Sequence, residues 1–236
     1  EADARLTVAS MAAGAKQVAE LVLFAAHPTL APHREDALDP DYPGRMSAAR
    51  EQGHGGVSLF LPASVGNASG RLPEAEASNH PGLYAAALAA AVARTPVVPV
   101  DGPVALGASR VEWTLPDPDA SRLSPPWTGR AADNALCALT PARTEVAALR
   151  LGPLRWLAVP LEPTYGAAQV LEHAAGASRV VALEGDYLSY VETSDAVRGG
   201  NGEAARQYFE PSLLAALEEA ASRALRELEP TQTPTR

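Results

Sequence analysis

The stretch LVLFAAHPTLAP, Leu21 to Pro32, decides how the rest of the chain is read. Four apolar residues and two alanines run as an extended segment and stop at His27-Pro28, where a polar, proline-bearing loop continues to Pro43. Upstream, RLTVA (5–9) reads as a strand, separated from VAELVLFAA (18–26) by the turn-prone AAGAK, so the chain opens in a hairpin-like unit. Downstream, GRMSAAREQ (44–52) contains helix formers and stops at Gly53, and GVSLFLPAS (56–64) is a short apolar strand running into VGNASG. Strand, loop, helix, strand is the punctuation of an α/β fold. A histidine at such a strand end is either a spectator or a ligand, because open α/β sheets place ligands and catalytic groups there.

The same alternation continues. PGLYAAALAAAVAR (81–94) is a helix with Pro81 in its first turn, where a missing N–H costs little. Residues 96–130 are rich in proline, with VEWTL (111–115) as a strand; EVAALRLG (145–152) and LRWLAVP (154–160) form a strand pair joined at Gly152-Pro153. AAQVLEHAAG (167–176) is a helix closed by Gly176, RVVALEG (179–185) a buried strand, and PSLLAALEEAASRALREL (211–228) an amphipathic helix. There is no internal repeat and no clear dividing linker. The expectation is one α/β domain over 1–229, with mixed sheets flanked by helices and a disordered tail at 230–236.

Composition narrows the function. A net charge of −9 and a pI near 5.1 leave no cluster of bases to release counterions from nucleic acid. No apolar run approaches the roughly 20 residues of a spanning helix. Lys16 is the sole lysine beside many arginines, a bias that points to a GC-rich, bacterial genome. Cys137 is alone in NALCALT, which excludes an intrachain disulfide and a cysteine metal cluster and reads as a buried, inert thiol. The chain begins at Glu1, with no basic and then apolar leader, so it is expected to be processed or truncated. Glu1 does not suit a self-processing hydrolase, whose terminal nucleophile is Ser, Thr or Cys.

No two of His27, His33, His54, His80 and His173 have the i, i+4 spacing of zinc ligands on one helix face. His33, His54, His80 and His173 read as ordinary loop or surface residues. Four apolar strands, however, deliver polar groups at their ends: His27; then Ser64, Asn67 and Ser69; then Glu162 between two prolines; then Asp186, Tyr187 and Tyr190. That is the pattern of an active site assembled from loops. Each also has a plain structural reading, in which SVGNASG is a turn, Glu162 caps a helix near Thr164 and Tyr190 is a strand aromatic. The serine turn does not match the G-x-S-x-G nucleophile elbow.

Taken in order, LVLFAAHPTLAP, DYPGRMSAARE, VSLFLPASVGNASG, LRWLAVPLEPTYG and GDYLSYVETSDAVRGGNGEA resemble the catalytic domain of the neutral/alkaline (non-lysosomal) ceramidases, zinc-dependent amidases that cleave the N-acyl bond of sphingolipids. The resemblance runs from about residue 5 to 225. It implies that His27, Glu162 and Tyr190 are zinc ligands and that Ser69 is the active-site serine, in a turn reading Gly66-Asn67-Ala68-Ser69-Gly70, where the family has Asp and Pro for Asn67 and Gly70. Asp41 and Gly44 match a D-x-x-G stretch of structural character, and a second tyrosine that the family places near the scissile bond is replaced by the GGNGEA run around Gly202. The family's first zinc histidine, in an H-T-H-S motif, lies upstream of anything in this chain.

The resemblance therefore implies a zinc (Zn2+) amidase acting on an acylated small molecule, lipid or peptide through metal-activated water, with a second polypeptide supplying the remaining histidine. It further implies a soluble, exported protein, periplasmic or secreted. The alternative is a non-catalytic binding or scaffold subunit that keeps the fold without the metal.

Overall fold

The computed structural model describes residues 2–32, 37–71, 80–119, 121 and 129–228. His33 and the tail at 230–236 lie outside them. The chain forms two compact units, Glu1–Pro99 and Val100–Arg236, divided in sequence within the proline-rich stretch that follows residue 95.

The first unit is built on the predicted hairpin. Strands β1 (Thr7–Ala13) and β2 (Lys16–Phe24) pair antiparallel around a turn at Gly14-Ala15, with a bulge between Met11 and Ala12. Helix α1 (Asp41–His54) then returns the chain so that β3 (Val57–Pro62) pairs parallel with β2, from Ala19↔Val57 to Phe24↔Pro62. The helix starts before and ends after the expected 44–52. Pro43 is tolerated in a first turn, and of the closely spaced glycines it is Gly55, at φ +72°, that takes the left-handed cap and donates to the Glu51 carbonyl at 2.8 Å. Asp41 and Gly44 thus belong to the first turn of α1 rather than to a loop.

Alternate residues of β2 and β3 point to opposite faces. Val22, Phe24 and Phe60 face α1 and α2 (Pro81–Arg94), forming a core with Leu30, Tyr42, Met46, Ala85, Leu88 and Val92. Tyr42 meets Phe60 and Tyr84 edge-on, with centroids 5.5 and 4.8 Å apart. Val57 and Leu59, on the opposite face, are about half exposed. His80 is more than an ordinary loop residue: its Nδ1 accepts from Leu83 N at 3.3 Å and caps α2.

Glu20 also points to the helix side and is 1% exposed. Arg50 holds it with two hydrogen bonds of 2.8 and 2.9 Å, and Ser58 Oγ donates a third at 2.9 Å. His54, beside it, accepts from Gly56 N through Nδ1 at 2.9 Å. Burial pushes the Glu20 carboxyl upward, but the Arg50 and Ser58 bonds and the Arg50 charge outweigh it and hold the pKa at about 2.

The second unit carries a sheet of order β4-β5-β6-β8, from β4 (Leu106–Thr114), β5 (Arg143–Leu151), β6 (Leu154–Ala158) and β8 (Arg179–Val181), antiparallel except for β6 and β8. Helices α4 (Tyr165–Ala175) and α6 (Leu213–Glu227) supply Leu171, Leu213, Leu217 and Leu225 to the core against Val146, Leu157 and Val180. Two elements depart from the sequence reading. The strand expected over 179–185 stops at Val181, because Leu183 and Gly185 take positive φ of 61° and 78° and end the extended run. A helix that sequence did not suggest, α3 (Arg130–Leu139), has no buried residue, so Cys137 is exposed rather than buried. Mixed sheets flanked by helices confirm the α/β class.

Candidate functional site

In the first unit the chain leaves β2 at Phe24 and β3 at Pro62, and the parallel relation persists past both ends. Ala63 N donates to the Phe24 carbonyl at 3.1 Å, His27 N donates to the Ala68 carbonyl at 2.8 Å, and His27 and Ser69 form an isolated parallel bridge. Two residues far apart in sequence, both assigned to the site, are therefore backbone neighbours. Gly66 is buried and Asn67 exposed within a turn closed by Ala68 N on the Val65 carbonyl at 2.9 Å; Ser69 is exposed and His27 half-buried. A Cβ at Gly70 would stand 3.1 Å from Leu30 Cδ1 and 3.2 Å from Tyr84 Cζ, so packing in this unit accounts for the small residue after the serine. At the base of the turn, Ser64 Oγ donates to the buried Asp3 carboxylate at 3.0 Å.

The second unit does the same with a shorter ladder. Strand β7 (Glu162–Pro163) pairs parallel with β9 (Tyr190–Val191), with Glu162 opposite Tyr190 and Glu162 N donating to the Ser189 carbonyl at 2.9 Å. Glu162 is 6% exposed. It is not the helix cap: Thr164 Oγ1 accepts from Ala167 N at 3.4 Å and caps α4. The Tyr190 and Tyr187 phenols both lie within the electrostatic reach of Glu162. Desolvation by burial, then Glu162, raise the Tyr190 pKa well above the usual tyrosine range, against the opposing charge of Arg206. The Arg206 guanidinium lies 5.4 Å from the Tyr190 ring centroid. Tyr187 is shifted upward in the same sense, with desolvation again the leading cause, but is 59% exposed.

A buried polar layer continues this pair. Glu192 follows β9 directly and is 7% exposed; its Oε1 accepts from Thr164 Oγ1 at 2.9 Å and Thr193 N at 2.7 Å, while its own N–H donates to Gln207 Oε1 at 3.0 Å. Fully buried Gln207 donates in turn to the carbonyls of Phe209 and Glu210 at 3.2 and 3.1 Å. Gly202 has φ +60°, and a Cβ there would stand 2.5 Å from Glu192 Oε2. No side chain fits at that point of the GGNGEA run while Glu192 keeps its place.

Sequence reading assigned no role to Arg206 or Glu192, named Tyr187 only among the groups at a strand end, and took Asp41 as part of a structural loop. Tyr187 had a signal, three residues before Tyr190 in GDYLSYVET. The others act from elements whose pairing appears only in three dimensions.

Among the described residues no group of three His, Cys, Asp or Glu side chains is placed to hold a metal ion. In the second unit the Glu162 carboxyl and the Tyr190 phenol are oxygen donors side by side in the ladder, and in the first His27 carries an imidazole; taken singly, each is a donor of a kind that zinc accepts.

No protein-family model matches the sequence, and no curated protein matches it. Solved structures do. The chain aligns over 100% of its length with the neutral ceramidase of Pseudomonas aeruginosa, at a TM-score of 0.71 and 19% identity, covering 48% of that chain. A ceramidase complexed with C2 aligns equally completely, at a TM-score of 0.68 and 20% identity, with 50% of its chain covered. No described helix is long and apolar enough to cross a membrane. The resemblance read from the five motifs is thus matched by architecture: the chain has the fold of the neutral ceramidases throughout its length and spans about half of the chains that share it.

Proposed function

We propose that this chain is part of a zinc-dependent amidase that hydrolyses an N-acyl, fatty amide bond, with His27, Glu162 and Tyr190 as zinc ligands and Ser69, in the Gly66-Asn67 turn, as the active-site serine. The observation that carries the reading is the pairing of motif residues. Within a ceramidase fold, His27 is bridged to Ser69 and Glu162 to Tyr190, each at the end of parallel strands. Bound zinc supplies Lewis acidity, which polarises the amide carbonyl and makes water a competent nucleophile near neutral pH.

The residues divide the remaining work. Glu162 gives a buried carboxyl group and Tyr190, opposite it in the β7–β9 ladder, a phenol, so main chain holds the two donors as neighbours. Tyr190 would lose its proton on binding a cation as phenolate; burial and Glu162 oppose that form and the positive charge of Arg206 favours it. Ser69, exposed beside the His27 backbone, offers a hydroxyl to the oxygen on which negative charge develops. The substrate class is a long-chain acyl amide, either ceramide or an N-acylated amino acid, peptide or specialised metabolite.

We further propose that the remaining zinc histidine belongs to a second polypeptide carrying the N-terminal part of the domain, and that the assembly is exported. Elemental analysis of the protein purified from its source with any copurifying polypeptide tests the reading. About one zinc per complex is expected, with fatty acid released from an N-acyl amide and the activity abolished by chelation. A folded complex without zinc or turnover would identify a non-catalytic scaffold instead, and turnover that survives chelators would identify a metal-independent serine hydrolase using Ser69.

A further inference from the structure

The segment that carries His27 has no regular structure of its own, yet it is gripped on both sides by the first two residues of α1. Asp41 is 5% exposed and lies at φ +48°, in the left-handed region that side chains other than glycine seldom enter. Its Oδ2 accepts from Leu30 N at 2.8 Å and Ala31 N at 2.6 Å, and its Oδ1 from Tyr42 N at 2.5 Å. Tyr42, fully buried, donates its hydroxyl to the Ala26 carbonyl at 2.5 Å. Asp41 thus holds the chain just after His27, Tyr42 holds it just before, and the His27 N–H is committed to Ala68. Starting a helix requires neither a left-handed aspartate nor a carboxylate shared among three amides. Backbone strain of this kind persists where surrounding bonds over-determine it.

We propose that Asp41 is a positioning residue for His27, fixing the turn that presents the imidazole; the functional value of that placement rests on reading His27 as a zinc ligand. Asparagine tolerates left-handed backbone and keeps an amide oxygen as acceptor, so Asp41→Asn retains part of the grip, whereas Asp41→Ala retains none.

The test uses the full chain with any polypeptide that copurifies, as wild type, D41N, D41A and L88A, the last being a core truncation in α2 that removes none of the grip's hydrogen bonds. Amide exchange in the metal-free protein is read at His27, Leu30 and Ala31 relative to Val22 in β2, followed by zinc titration. The expected result is a rise of about tenfold or more in relative exchange in D41A, an intermediate rise in D41N and none in L88A, with zinc affinity falling in the same order. D41N keeps the measurement available if D41A does not fold. Unchanged relative exchange in D41N and D41A, or an equal rise in L88A, overturns the proposal. If exchange rises as expected but the wild type takes up no zinc, the positioning role stands and the zinc reading falls. If zinc binds equally well to all four proteins, the positioning role falls and the zinc reading stands.

Discussion

The two units present their candidate residues on the same device, the end of a parallel strand pair, but they put their buried charge in different places. In the first unit His27 and Ser69 are joined through main chain, and the buried Glu20–Arg50 pair sits back in the scaffold, tying β2 to α1. In the second unit the buried acids, Glu162 and Glu192, belong to the site and its supporting layer. Loss of the Glu20 charge should therefore loosen the scaffold and leave the chemistry to fail with it. Loss of the Glu162 charge should alter the candidate site directly.

The sharpest contrast comes from the exposed serine. Ser69→Ala removes a hydroxyl without touching the main-chain bridge that joins it to His27. Turnover of an N-acyl amide should fall by about a hundredfold or more while zinc content and melting temperature stay at wild-type values. Full activity in that variant would remove Ser69 from the mechanism.

Acid should act next, on the first unit's scaffold. The Glu20 carboxyl lies at about 2 in the folded chain against an ordinary 4.5, so the unfolded chain binds the proton first as pH falls. The stabilisation is complete above 4.5 and is lost as pH falls toward 2, amounting to about 3 kcal/mol at most by linkage. Denaturant unfolding of wild type and Glu20→Gln at pH 6 and pH 3 measures it, and the variant should lack most of the acid-dependent loss. An equal loss in both would place the acid sensitivity elsewhere.

Smaller effects probe the second unit. Gly202→Ala combines a left-handed backbone with a contact on Glu192 and should cost about 2 kcal/mol. Trp113 and Trp156 are buried in this unit and the sequence has no tryptophan before residue 100, so fluorescence-detected melting reports it separately. Cys137→Ser, on a helix without buried residues, should change stability by less than about 0.5 kcal/mol, and the thiol should react with a disulfide reagent in the native protein.

Much of this frame was legible in the sequence wherever a local signal spans several residues. The hairpin announced itself by two apolar runs around Gly14, α2 by its proline start, and α4 by the glycine that ends it. What escaped were features that depend on distant partners. A two-residue strand such as β7 has no period to detect, and only its mate, β9, makes it a strand. Spacing alone gave Glu162 and Tyr190 no common role; ordered motif resemblance joined them, and the ladder places them side by side. Asp41 looked like loop chemistry because its acceptors serve Leu30 and Ala31, which no helix signal predicts. Cys137 misled for the opposite reason: an apolar neighbourhood in sequence became a helix with nothing packed against it closely enough to bury a residue.

The crowding at Gly202 limits which side chains can be placed there by design. A single exchange at that position would drive the new side chain into Glu192 and dislodge the carboxylate that Thr164 and Thr193 depend on. A larger residue at 202 requires two edits made together, with a shorter residue at 192. Wherever nature has varied this stretch, those two positions should change as a linked pair.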